Sequence, residues 1–260
     1  MNLLPFVVTV AILAALSLAI VALLRLERPY LQPVAILRAV LQLAILTLIL
    51  NGVISDGIWV ALFLAVMVGA ATWVVVRRLE MPFRMAWLIA VVITVASAVP
   101  VVVIFLSGTV QFSPRYVLAV GGIIVGNTMT VSTLMGRSLA ASFDSGRDEI
   151  EGWLALGATP RLASQRVVRV AASTALIPGT DQARTTGLVT LPGAFVGAIF
   201  AGASPLVAAE FQVLVLASIL VAGALTVAFF ARIFGAPAVV PTNGRLRERA
   251  ARARELKATS

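Results

Sequence analysis

The side chains able to do chemistry in this chain are few, and the missing ones narrow the field first. There is no cysteine and no histidine among the 260 residues. A disulfide framework and a zinc site of the usual Cys/His kind are excluded. So is nucleophilic catalysis assisted by a histidine base. The only lysine is Lys257. A phosphate-binding G-x-x-x-x-G-K-[ST] loop needs its lysine on the phosphates. No such loop is present, so the chain does not hydrolyse ATP by that route.

The densest group of polar residues inside the chain is "EIEGWLALGATPRLASQ", Glu149–Gln165. Ser145 stands as an N-cap with Asp148 three residues on, a weak capping-box pattern. Asp148, Glu149 and Glu151 fall in the first turns, where a helix dipole favours negative charge. Ile150, Trp153 and Leu154 follow i, i+3, i+4 and form one apolar face. Gly157 suits the C′ position that ends a helix. Thr159 then caps a second helix with Pro160 at its first position. That helix runs to about Ser173 and carries Arg161, Arg166 and Arg169. An amphipathic helix of this kind can lie in lipid headgroups. It can equally dock in the groove of a partner protein. Periodicity leaves both uses open.

A second set of polar residues lies in or beside apolar runs. Asn127 and Thr130 share one helix face at i, i+3, and Thr128 with Ser132 share another. Either pair can form interhelical hydrogen bonds or a polar pathway wall. Asp181, Gln182 and Arg184 follow Pro178, read as a break. Asp181 and Arg184 are spaced to pair locally, or to form a cytoplasmic entrance. Pro192 cannot donate its N–H and disturbs the carbonyl of Leu188. With Gly193 it predicts a kink, which membrane helices tolerate where it faces protein or a wet cavity. Gly193–Gly197 and Gly122–Gly126 are G-x-x-x-G pairs that permit close helix approach. Asp56 and Glu210 fall in loops. No set of metal ligands can be assigned.

The elements that must hold these residues are set by hydropathy. Hydrophobic residues make up 60% of the chain, charged ones only 12%, and mean hydropathy is +1.05. A soluble domain carries about 25% charged residues. The apolar runs are long and continuous, unlike barrel strands. The fold class is therefore all-α, a polytopic membrane helix bundle. A span needs about 20 apolar residues. About seven transmembrane helices qualify: Leu4–Leu24, Val34–Ile54, Ile58–Val76, Ala86–Leu106, Tyr116–Leu134, Thr186–Ala203 and Gln212–Phe234. The first positive charge, Arg25, follows the first run, so a retained span is expected rather than a cleaved signal. The domains read as a transmembrane body over residues 1–236, with its cytoplasmic segment at about 144–175, and a basic tail over 237–260. No internal repeat is visible.

Basic residues set the orientation. Arg25 and Arg28 follow span one. Arg77, Arg78 and Arg84 lie between spans three and four. Arg137, Arg147, Arg161, Arg166 and Arg169 lie between spans five and six, and Arg245–Lys257 occupy the tail. Alternate loops hold only Arg115. The expectation is a multi-pass plasma-membrane protein, N-terminus outside and C-terminus cytoplasmic. The net charge of +9 then reflects topology and contact with the lipid bilayer, not nucleic acid.

Four stretches resemble a known family. "EIEGWLALGATP" is similar to the cytoplasmic segment of the iron-export-type ABC transporter permeases, which include plant aluminium-tolerance relatives. "LIPGTDQARTTGLVTLPG" (Leu176–Gly193) resembles their Leu-Ile-Pro…Gly-Leu-Val-x-Leu-Pro-Gly signature. "AGASPLVAAEFQ" (Ala201–Gln212) resembles their Ala-Gly-x-x-Pro…Ala-x-x-Gln loop. "GNTMTVSTLMGRSL" (Gly126–Leu139) resembles their polar fifth span. Order and spacing hold across about Gly121–Phe234, with weaker likeness at Ile36–Leu46. The resemblance implies a non-enzymatic permease subunit that exports a metal ion or small solute. It implies a homodimer working with separate ATP-binding cassette subunits, which hold the ATP and magnesium; this chain would carry no cofactor. Glu149, Ile150, Glu151, Trp153, Leu154, Gly157 and Pro160 would then form the coupling helix. Where the best-known members have Met-Met-Thr-Gly-Gln after Leu-Pro-Gly, this chain has Ala194, Phe195, Val196, Gly197 and Ala198. Thioether ligands suit soft metals and oxygen ligands harder ones, so direct metal handling at that point is not expected. The alternative is a self-contained ion-coupled carrier or channel. It needs buried ionisable groups, and the span centres as drawn above hold no Asp, Glu or Lys. A membrane enzyme finds no catalytic constellation.

Overall fold

The computed structural model describes residues 3–25, 30–53 and 56–236, with side chains for 4–25, 30–47 and 56–236. The basic tail and Arg28 lie outside the described residues. The chain divides into two units, residues 1–59 and 60–260.

In the first unit, α1 (Leu3–Leu23) and α2 (Leu31–Val53) pack against each other. Ser17 Oγ donates to Gln32 Oε1 between them. Both helices expose apolar side chains along their length, among them Leu4, Ile12, Leu16, Leu37 and Leu41. A helix apolar on all sides belongs in lipid or a large core.

The second unit is built on four helices that run together: α3 (Gly57–Arg78), α4 (Ala86–Leu106), α5 (Pro114–Ser145) and α10 (Pro205–Phe234). A fifth, α8 (Gln165–Thr185), packs against both α5 and α10. Between α5 and α8 lie the short helices α6 (Arg147–Ala155) and α7 (Pro160–Ala163). The eight-residue α9 (Gly193–Phe200) precedes α10. The core is formed by Val75, Ile89, Ile93, Val131, Met135, Ala171 and Phe230 with their neighbours. Five helices are long and apolar enough to cross a membrane, and the apolar part of α2 adds a shorter one.

Local chemistry explains several boundaries. Ser113, Thr159 and Ser204 each precede a proline, and each side chain accepts a bond from the N–H three residues on. A hydroxyl cap followed by Pro at N1 is a strong start signal. Leu79 of the loop after α3 lies so close to Gly136 that a Cβ there would sit 2.4 Å from its Cδ1. A larger residue there would require the Leu79 side chain to shift.

Three expectations are corrected. Ser145 does not cap α6. It is the last residue of a 32-residue α5, its Oγ bonds back to the Ser142 carbonyl, and Gly146 takes the cap position. Pro178 does not break the chain: α8 runs through it to Thr185. The exposed side of the helix absorbs the ring and the lost hydrogen bond. Most important, the sixth span is not Thr186–Ala203. Residues 186–192 are non-helical, held by a Thr186–Thr190 bridge and by the Thr185 carbonyl, which accepts from the N–H groups of Leu188, Val189 and Thr190. Pro192 is not a mid-helix kink but the N-cap of α9, with Gly193 as its first residue. The long helix between α5 and α10 is instead α8, which packs against both.

Candidate functional sites: a docking turn and a polar helix face

The sequence places the first site on α6, the following turn and α7. Leu156 caps α6, and Gly157 takes φ +83°. Gly157 N–H bonds to the Leu154 carbonyl and Ala158 N–H to that of Trp153, at 3.0 Å each. This is a Schellman ending, in which glycine supplies the left-handed residue. Thr159 Oγ1 then accepts from Leu162 N–H at 3.4 Å, with Pro160 at N1.

The apolar face divides by depth. Ile150 is 3% exposed and joins the core with Phe143 and Val167. Trp153 is 47% exposed and Leu154 37%. Leu156 and Leu162, absent from the sequence reading, are exposed as well. Ile150 therefore anchors the turn, and the other four form an unburied apolar cluster. Leu156 and Leu162 lie outside the α6 period, so only their position beside the turn could have marked them.

Two ion pairs brace the segment. Arg147 Nε donates to Glu151 Oε1 at 2.7 Å. Arg166 Nε donates to both carboxylate oxygens of Glu149, at 2.7 and 2.8 Å, joining α8 to α6. The hydrogen bonds from Arg166 hold the Glu149 carboxyl below its ordinary value, and Glu149 raises the guanidinium in return. At the same end of the unit stand Arg77, Arg78, Arg84, Arg137, Arg161, Arg169 and Arg232, while Arg115 begins α5 at the other end.

The second site follows from the register of α8. Gly223 of α10 faces Leu176 of α8 and Val131 of α5; Gly179 of α8 faces Ile219 and Leu220. Asn127 Nδ2 reaches the Ile219 carbonyl at 3.4 Å. These contacts place Asp181 level with the middle of the apolar stretches of α5 and α10. Along α8 it lies about 18 Å beyond Arg169, against a hydrocarbon layer of about 30 Å. Asp181 and Gln182 therefore stand well along α8 from the arginine-rich end.

Only a narrow stripe of α8 is buried: Val167, Ala171 and Ala175. Its open side carries Ser173, Thr174, Pro178, Asp181 and Gln182. Pro178, Asp181, Gln182 and Thr185, at i, i+3, i+4, i+7, line a cavity of about 450 Å³. Thr186, Thr190 and Pro192 close its far side. Arg184 points off this face, and no ion pair joins it to Asp181 among the described residues. Gly193 adjoins the cavity through Pro192 without lining it. The threonines escaped the sequence reading; the i, i+3, i+4, i+7 polar ladder was the signal.

The other candidates lie on α5, where Thr130 is exposed. Asn127 is half-buried as a strut between α5 and α10, and Thr130 bonds its own helix at the Gly126 carbonyl. Thr128 accepts from Ser97 of α4 at 3.1 Å. Among the described residues no three His, Cys, Asp or Glu converge on a metal position.

The family model described as "Uncharacterised protein family (UPF0014)" matches residues 5–236. The UPF0014 membrane protein STAR2 of rice is 35% identical over 82% of this chain and 74% of its own length. The probable iron export permease protein FetB of Escherichia coli K12 is 34% identical over 77% of this chain and 80% of its own. The protein ALUMINUM SENSITIVE 3 of Arabidopsis is 31% identical over 82% and 78%. No solved structure matches this chain.

Proposed function

Because the chain belongs to the UPF0014 family of membrane proteins, we propose that it is the membrane-spanning permease subunit of an ABC-type exporter, energised by a separate ATP-binding subunit. The observation that carries this reading is the exposed cluster Trp153, Leu154, Leu156 and Leu162. It projects from a turn braced to α8 by Glu149–Arg166 and seated in the core by Ile150. An apolar cluster on a rigid element is what a partner groove reads. Movement of that partner would pass through α6 to the ends of α5 and α8. The chain lacks a phosphate loop of its own, which gives it reason to need such a partner.

The arginine-rich end faces the cytoplasm under the positive-inside rule, with the N-terminus outside. The open side of α8 faces a second copy of the chain. Ser173, Thr174, Asp181 and Gln182 at membrane depth are costly against lipid and are tolerated against protein or water. Two copies would enclose a polar path between them. Its donors are hydroxyl, amide and carboxylate oxygens, which suit hard cations. The name of the Escherichia coli relative agrees with such a cargo. Ala194–Ala198 contribute no ligand side chain, so the cargo class is a hard metal ion or a small oxygen-rich solute moving past Asp181.

Reconstitution tests this. The chain is combined with a candidate ATP-binding cassette subunit and placed in vesicles with ferric citrate. ATP-dependent movement of iron, lost in Asp181→Asn without loss of the complex, is the expected result. One observation favours the ion-coupled carrier: Asp181 at mid-depth is an ionisable group of the kind it needs. Movement driven by an ion gradient in the chain alone, with no response to ATP, would establish that reading and refute the first.

A further inference from the structure

We propose that the cleft between α8 and the end of α10 binds the phosphate headgroup of an anionic phospholipid. Arg161, Arg169 and Arg232 line this cleft of about 320 Å³, with Val168, Ala228 and Ala231 as its apolar floor. Among the described residues no carboxylate lines it. Neither ion pair among the described residues involves any of the three arginines. Arg161 spends one N–H on the Arg232 carbonyl at 3.4 Å, and Ser164 Oγ bonds the Gly235 carbonyl. These bonds tie α7 and α8 to α10, so the cleft is preformed.

Three guanidiniums in one cleft, with no carboxylate partner among the described residues, call for an anion, and the guanidinium fork matches phosphate oxygens bidentately. The level of the cleft selects the source. It lies where the apolar runs of α8 and α10 give way to the arginine-rich end, the depth of lipid headgroups. Its floor of Val168, Ala228 and Ala231 offers acyl chains a surface, which a free phosphate does not need. Basic pockets between membrane helices bind anionic headgroups in this manner. The lipid would fasten the start of α8, next to the docking turn, to the end of α10.

The purified full-length chain in neutral detergent, without its ATPase, gives the test. Phosphatidylglycerol, phosphatidylcholine or inorganic phosphate is added. Lipid retention is read by native mass spectrometry, and the denaturation midpoint is read in parallel. Phosphatidylglycerol is expected to be retained and to raise the midpoint, and phosphatidylcholine to do neither. At about 1 kcal/mol per basic residue, Arg169→Gln with Arg232→Gln weakens retention about 30-fold. Arg115→Gln at the opposite end leaves it unchanged. Should the double variant not fold, the native chain decides: its phosphatidylglycerol response must shrink in about 0.5 M salt. Equal effects of phosphatidylcholine, or a response indifferent to salt, overturn the proposal. An equal response to inorganic phosphate overturns the lipid as source. A folded double variant that retains phosphatidylglycerol as well as the native chain also overturns it.

Discussion

Replacing Trp153 and Leu154 together by alanine separates docking from folding, because Ile150 on the same helix offers the opposite case. Trp153 is 47% exposed and Leu154 37%, so about half of each side chain is in contact with this chain. Full burial of such a side chain stabilises by about 1.5–3 kcal/mol, so each truncation costs roughly 1 kcal/mol of stability. In a partner groove the exposed half is what gets buried. A central tryptophan there is commonly worth about 2 kcal/mol or more, which is about 30-fold in Kd. Adjacent sites do not add simply, so about 30-fold is the floor for the pair. Ile150→Ala empties a core position that is 3% exposed. Its cost is about 2–5 kcal/mol of stability, with docking lost only as the turn loosens. The assay pairs titration of the isolated ATPase subunit onto the reconstituted chain with a denaturation midpoint. Trp153→Ala/Leu154→Ala, at about 2 kcal/mol of stability for the pair, should lose affinity while still folded; Ile150→Ala should lose affinity only as far as its midpoint falls. Unchanged affinity in the double variant refutes the docking surface. A binding defect in Ile150→Ala with an unaltered midpoint refutes the division of the face.

Other consequences are quickly tested. Gly157→Ala meets no atom within 4 Å but keeps φ +83°, so it costs roughly 1–2 kcal/mol through the backbone alone; faster amide exchange confined to residues 153–160 is expected. The Glu149–Arg166 pair follows a definite sign in pH. The folded carboxyl titrates below the ordinary 4.5, so its stabilisation is present above that value and lost as pH falls through the lower folded one. The native midpoint should therefore converge on that of Glu149→Gln under acid, and a constant gap would contradict the pair. Asn127→Leu removes the bond to the Ile219 carbonyl, at a cost of about 0.6 kcal/mol, and should leave transport intact. Loss of transport there would restore Asn127 to the path.

What could be read from the sequence was local or apolar. Thr159-Pro160 and Gly157 act within four residues, so the turn itself was visible, while the helix after it, expected to run to about Ser173, is the four-residue α7 followed by α8. The starts at Ser113-Pro114 and Ser204-Pro205 carry the same signal in the same way. α8 escaped because the search for spans assumed apolarity on all sides. A helix packed between α5 and α10 needs only the stripe Val167, Ala171, Ala175, and its polar side drags any running average down. The oily residues after Thr185 instead form a non-helical stretch and the short α9. Ser145 misled for another reason: a serine followed by acids fits the continuation of a helix as well as the start of one. The seating of Ile150 against Phe143 and Val167 is tertiary, and nothing in the period of α6 distinguishes it from Trp153.

The account's central claim is that the polar side of α8 lines a water-filled path at mid-depth. Since the chain has no native cysteine, single cysteines test it cleanly. Gln182→Cys on α8 should be compared with Val102→Cys on the exposed side of α4, where Val91, Val95, Val99 and Val102 present an apolar surface. The measurement is modification by a charged, membrane-impermeant thiol reagent in sealed vesicles with the ATPase subunit bound. The account predicts that Gln182→Cys reacts and Val102→Cys does not. A Gln182→Cys as inert as Val102→Cys would contradict it.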